Sequence, residues 1–433
     1  RKYLLTLPCM NKKLNILFGV LILLLFVPLA QEYFHMFRLT PLQGAWVPAQ
    51  KPSMGVKQWF TGSCQDSLST YYNENFGLRS FFVRVNNQLD YSLFRKTTAA
   101  KIVIGRNGYL FENNYLEAYH GDDFLGEGAI DTLVMQAAKA QKLLRERNVD
   151  MLLVLAPGKA TFFPEHVPWP YNTPRSNPTN YELITRKCTE AGIHCIDMNQ
   201  WFRAMKDTST YPLYPKCGIH WSYYGMYLAA DSIIRRIEAI RNIDMPEMHV
   251  SHIETDVTQR GTDYDIGHIM NLLLPIETYP MAYPVIGYSG TEKLRPDVLV
   301  IGDSYYWNIY YSGIPAVMFK NLDFYYYNSS IYNDGTNIAA GTTDKINYES
   351  EILKRDVIVV LQTDGGLNNF GFGFFNRVCN ELQGFGLEAR IENFRQAILA
   401  DPKWKQAVAD KAVQRGISFE EMLYIDAKYM AEQ

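Results

Sequence analysis

A chain of 433 residues, 47% hydrophobic and 20% charged, carries enough apolar side chains for a sizeable core and excludes a disordered polymer. Its formal net charge of −3, with no basic stretch interleaved with aromatics, argues against a nucleic-acid binder. Six cysteines without a CxxC pair give no metal-ligand spacing; Cys188, His194, Cys195, Cys217 and His220 fit no zinc pattern. A disulfide among Cys188, Cys195 and Cys217 is an alternative in an oxidising compartment.

Met10-Asn11-Lys12-Lys13 reads as a natural start, with the first nine residues upstream of it. Leu14 to Ala30 holds no charge, and Lys12 and Lys13 set the bulk of the chain outside the membrane. No small-x-small cleavage site follows, so an uncleaved signal anchor over 14–30 is expected in preference to a cleaved peptide. Pro41, Pro48 and Pro52 mark a linker, and Trp59–Tyr91 reads as helical. Lys101–Phe111 predicts two short strands about an Asn107-Gly108 turn.

An amphipathic helix over Ile130–Glu146 feeds the apolar strand Met151–Leu155, followed by a helix from about Tyr181 and a strand at Ile193–Asp197. Ser222 is placed to cap a helix running to about Arg241. Residues 241–296 read as an irregular insertion. Val298–Ile301 is a strand of the kind buried on both faces of a parallel sheet; Val317–Tyr327 and the strand Val357–Leu361 follow. Gly371-Phe372-Gly373 is no dinucleotide fingerprint, and no cofactor is expected. From about Phe375 the pattern is that of a polar helical tail. The expected division is therefore 1–13, an anchor at 14–30, linker and helices at 31–100, an α/β domain with a doubly wound parallel sheet at 101–374, and a helical region at 375–433.

Three strand-end loops offer reactive groups: Lys159, Ser304 and Asp364, with His220 just ahead of a helix. Ser304 falls after Gly302 where a helix would begin, so its hydroxyl lies in the field of a helix start with backbone N–H groups at hand. A neutral serine needs a base within hydrogen-bond reach, and histidine is the usual one. A lone histidine is more often structural; the pair carries the reading.

FGLR at Phe76–Arg79, IGRNGYLF at Ile104–Phe111, APGKAT at Ala156–Thr161, HWSYYG at His220–Gly225 and IGDSYYW at Ile301–Trp307 occur in one order. That set resembles the AlgJ/AlgX-type alginate O-acetylation proteins, relatives of DltD within the SGNH hydrolase-like superfamily. The resemblance implies an extracytoplasmic O-acetyltransferase acting on an exopolysaccharide or cell-envelope glycan. It implies Ser304 as nucleophile and oxyanion donor, His220 as general base, and Lys159, Trp221 and Tyr305 as residues meeting substrate. It also implies a membrane-bound O-acyltransferase as the acyl-donor partner and a periplasmic location anchored in the inner membrane. The family often has Asp two residues before the motif histidine, where this chain has Gly218. The third acid is then Asp303, with Asp122 and Asp364 as alternatives. An acetyl esterase using the same residues, and a catalytically weak glycan-binding scaffold, are the competing readings.

Overall fold

The computed structural model describes residues 8–44, 47–53, 55–382 and 387–432. The segment 1–7 of the expected upstream region lies outside them. The chain forms two compact units, one of residues 1–104 and 264–278, the other of residues 105–263 and 279–433.

The first unit contains the helix Pro8–Phe34, whose span Lys12–Phe34 is long and apolar enough to cross a membrane and is almost wholly exposed. A core helix would be buried, so this one is not serving a core. The unit also holds the helices Ser63–Asn75 and Arg79–Phe94 and the short strand β1 (Ile102–Ile104). Asn87, buried on the second helix, donates through Nδ2 to the Met270 carbonyl at 3.0 Å, tying the 264–278 segment into this unit.

In the second unit, β2 (Leu110–Glu112) is followed by β3 (Asp150–Ala156) and β4 (Cys195–Asp197). Next come β5 (Glu247–Asp256) and β6 (Met281–Ser289), then β7 (Val298–Gly302), β8 (Phe324–Tyr326), β9 (Ser330–Tyr332), β10 (Gly341–Thr342) and β11 (Val357–Thr363). A seven-stranded sheet runs in the order β10-β9-β8-β7-β11-β3-β4. Its five strands from β8 to β4 are parallel, and β9 and β10 extend one edge antiparallel.

β7 and β11 are buried along their whole length, as their uninterrupted Val/Ile/Leu runs require when helices cover both faces. Met151, Leu153, Leu155, Leu299, Ile301, Ile358 and Val360 point into a core built with the helices Glu127–Arg145, Asn180–Glu190 and Phe374–Leu382. Val300 and Val359 face the other way, toward Ile233 and Ile234 of the helix Tyr223–Arg241. Each such side chain contributes about 1.5–3 kcal/mol on burial.

Several expectations are corrected. The 241–296 region is not irregular: β5 and β6 pair antiparallel over nearly their full length, with a register shift between Val250 and His252. The expected polar tail begins with a buried helix, Phe374–Leu382, and the helices Leu387–Ala400, Pro402–Arg415 and Phe419–Glu432 enclose their own core around Ile398, Val408 and Leu423. No disulfide joins Cys188, Cys195 and Cys217 to one another.

Candidate active site

Parallel strands deliver their following loops to one rim, the carboxyl edge of the sheet. β7 ends at Gly302, and Asp303-Ser304 turns the chain into the short helix Tyr306–Tyr311. The turn is pinned by Asp303, buried and accepting on both carboxylate oxygens: from the Tyr305 N–H at 3.0 Å, and from the Thr363 N–H and hydroxyl at 2.7 and 2.8 Å. Thr363 is the last residue of β11, so Asp303 fastens the serine turn to the neighbouring strand end. Burial pushes the Asp303 carboxyl up, opposed by these hydrogen bonds and by the nearby His220.

His220 arrives on the loop that precedes the helix Tyr223–Arg241, whose first turn is capped by Ser222 Oγ accepting from the Gly225 N–H at 2.9 Å. The loop's carbonyls are held one by one. Tyr279 Oη donates to the Tyr214 carbonyl, Lys159 Nζ to those of Lys216 and Gly218 at 2.8 and 2.6 Å, and Tyr305 Oη to that of Ile219 at 2.7 Å. The residue after the serine thus bonds the residue before the histidine, and the Tyr305 ring lies 5.0 Å from the imidazole. The outcome is a distance of 3.0 Å between Ser304 Oγ and His220 Nε2, both side chains half-buried and facing the rim.

The three residues expected to meet substrate lie elsewhere in this arrangement. Lys159, Trp221 and Tyr305 are fully buried, and act from behind the site. Lys159, also 5.6 Å from the Phe111 ring centre, spends its ammonium on the histidine loop. That role needs long-range packing to be seen, since Lys159 and Gly218 are far apart in sequence.

Of the candidate acids, Asp303 is one residue from Ser304 and close enough to His220 for their charges to interact. Asp122 is exposed and bonded to His120 Nδ1 at 2.7 Å. Asp364 is buried at the end of β11, where Oδ2 accepts from Thr161 Oγ1 at 2.5 Å and Asn199 Nδ2 at 3.3 Å; burial pushes its carboxyl up to about 6. It lines a cavity of about 270 Å³ with Thr161, Asn180, Tyr181 and Arg203. Gly218 has no room for a side chain: a Cβ there would lie 2.2 Å from the Thr262 carbonyl oxygen and 2.9 Å from the Asp263 carbonyl carbon. Among the described residues no group of three or more His, Cys, Asp or Glu could hold a metal ion.

A serine and a histidine within hydrogen-bond reach over the carboxyl ends of a parallel sheet are the pairing that a nucleophile and its general base require. Residues 102–273 match the family model for ALGX, the SGNH hydrolase-like domain of acetyltransferase AlgX; that segment includes Lys159 and His220, and Ser304 lies beyond it. The probable alginate O-acetylase AlgJ of Pseudomonas aeruginosa is 24% identical over 207 residues, 46% of this chain and 49% of that protein. The chain thus spans about half the length of the curated relative it matches.

Among solved structures, the O-acetyltransferase domain of Pseudomonas putida AlgJ is 13% identical with a TM-score of 0.41, covering 64% of this chain and 98% of that one. Bacillus cereus PatB1 is 13% identical with a TM-score of 0.39, covering 63% and 98%. The resemblance to AlgJ/AlgX-type proteins read from the motifs is shown by the family match and the curated relative.

Proposed function

We propose that the protein is an extracytoplasmic O-acetyltransferase that passes an acetyl group through Ser304 to a hydroxyl of an exopolysaccharide or cell-envelope glycan. The observation carrying this reading is the 3.0 Å separation of Ser304 Oγ and His220 Nε2 at the carboxyl edge of the sheet. With the neutral imidazole protonated on Nδ1, Nε2 takes the Ser304 proton as Oγ attacks the acetyl carbonyl carbon. The tetrahedral oxyanion is met by the Ser304 backbone N–H, and the donor's leaving oxygen takes the proton from Nε2 as its bond to the acetyl carbon breaks. A glycan hydroxyl then repeats the sequence: it loses its proton to Nε2, attacks acetyl-Ser304, and leaves as the ester while Ser304 recovers its proton. Asp303, which secures the serine turn and lies near the imidazole, supports the imidazolium as the third acid.

The apolar span Lys12–Phe34 would anchor the domain at the outer face of the inner membrane, facing the periplasm. There a membrane-bound O-acyltransferase would present the acyl group. The relative's printed name assigns it to alginate, which supports a polysaccharide acceptor here.

The test is turnover of p-nitrophenyl acetate with and without oligosaccharide. Wild type is expected to release nitrophenol and form acetylated sugar, and Ser304→Ala and His220→Ala are each expected to lower the rate by at least about 10³-fold, with circular dichroism unchanged. Full activity in either variant would overturn the assignment of that residue; free acetate alone in the presence of sugar would make the protein an esterase.

A further inference from the structure

Three non-glycine residues with left-handed backbone lie together beside the serine turn: Tyr327 (φ 50°), Asn328 (φ 52°) and Phe372 (φ 53°). Asparagine tolerates that region, whereas a bulky aromatic pays about 1–3 kcal/mol. The other left-handed non-glycine positions among the described residues are Asn, Lys, Arg or His, so the two aromatic ones stand apart. They also touch, with ring centres 5.3 Å apart and planes at 83°.

Specific bonds hold this conformation. Asn328 Nδ2 donates to the Phe372 carbonyl at 3.3 Å, Tyr348 Oη donates to Asn328 Oδ1 at 2.7 Å, and Thr343 Oγ1 donates to the Asn328 carbonyl at 2.8 Å. Yet the strained backbone does not bury the Tyr327 side chain, since the residue remains 47% exposed. Strain that a network maintains without burying the ring is more readily explained by presentation than by packing.

The place presented is next to Ser304. The Tyr327 N–H donates to the Gly302 carbonyl at 2.9 Å, so the tyrosine follows β8 at the level where β7 gives way to Asp303-Ser304. β7 lies between β8 and β11 in the sheet, and the contact of Tyr327 with Phe372 joins the loops that follow those two flanking strands. From Tyr327 a row of rings leads away: Tyr326 at 4.4 Å, Trp307 a further 5.5 Å on, then Tyr311 stacked on Trp307 at 5.2 Å with planes 14° apart. Tyr311, at the far end, is 50% exposed. Packing of the sheet edge accounts for Trp307 and Tyr326, but not for the exposed rings at Tyr327 and Tyr311.

The C–H face of a pyranose is apolar and slightly positive, and it fits the negative face of a tyrosine or tryptophan ring. A row of such rings with open ends suits a chain of sugars better than one small molecule, which would need a closed concavity. We propose that Tyr327, propped against Phe372, is the stacking platform on which one sugar of the acceptor glycan lies beside Ser304, with Tyr311 receiving a sugar further along the same chain. This assignment rests on the transferase reading of the Ser304 site.

Tyr327→Gly removes the ring and suits the left-handed backbone, so its melting temperature is expected to hold or rise; a ring needed for packing would lower it. Cellohexaose, chitohexaose and hexamannuronate serve as probes, read by tryptophan fluorescence for binding and, with p-nitrophenyl acetate, by the ratio of acetyl transferred to acetate released. At least one probe is expected to bind wild type saturably. In Tyr327→Gly its dissociation constant is expected to rise at least tenfold and the transfer ratio to fall by as much, through KM for the sugar; Tyr327→Phe is expected to stay within twofold of wild type. No saturable binding to wild type, or unchanged binding in Tyr327→Gly, would overturn the platform. Binding that depends on Tyr327 without any Ser304-dependent turnover would leave the platform standing and sink the transferase reading instead.

Discussion

Asp364 illustrates how a fold makes room for a buried carboxylate. Gly158 makes room for it: a Cβ at that glycine would fall 1.7 Å from Asp364 Oδ1. Two side-chain donors, Thr161 and Asn199, partly offset the burial, which nevertheless raises the carboxyl to about 6. In the unfolded chain an aspartate titrates near 3.8. Between those two values the folded protein binds more protons than the unfolded one, so this residue's contribution to stability is largest in acid and is lost as pH rises toward 6 and beyond. Asp364→Asn should remove that slope. Urea midpoints at pH 4.5 and 7.0 should lie closer together in the variant than in wild type once the trend common to both is subtracted. Sequence reading found Asp364 as a strand-end acid, because a β run followed by Thr-Asp-Gly-Gly announces such a position. Its partners come from residues 161 and 199, which no local pattern connects to it.

The loop that carries His220 is held by its carbonyls rather than by an acid within it. Tyr279, Lys159 and Tyr305 each take one or two of them, and the 262–263 backbone closes over Gly218. Placing an aspartate at position 218 would therefore force the loop off its supports. Gly218→Asp is expected to lower stability by about 1–3 kcal/mol, the usual cost of overpacking, and to reduce turnover, not raise it. A rate above wild type with unchanged melting would show that the backbone of 262–263 yields freely.

At this scale the sequence was informative where elements are regular. The apolar runs of β3, β7 and β11 and the capped helix after His220 could be read directly, because burial on both faces and an N-cap serine each leave a local mark. The β5–β6 pair was missed because β5 is polar-rich and largely exposed, Pro284 interrupts β6, and a register shift between Val250 and His252 hides the alternation. Lys159, Trp221 and Tyr305 were legible as motif residues but not as buried supports, since burial is a property of the packed chain.

Across the whole molecule, the chain combines an exposed apolar helix with an α/β unit whose rim carries the serine and histidine, and adds three C-terminal helices with a core of their own. If the span Lys12–Phe34 is an anchor, the full chain should pellet with membranes and resist a carbonate wash. Leu21→Arg combined with Leu24→Arg should release it, because each arginine at the middle of a span costs about 2.5–3.5 kcal/mol in insertion. Retention of the double variant in the pellet would show that something other than this helix holds the protein there.

The state of the sulfurs bears on how such a domain is made. Cys64, Cys188, Cys195 and Cys379 are free thiols, three of them buried, and burial pushes Cys188 up to about 12, away from the thiolate that attacks an oxidant. On the outer side of a membrane these four cysteines would pass through a disulfide-forming environment unpaired, provided the core closes over them faster than they are captured.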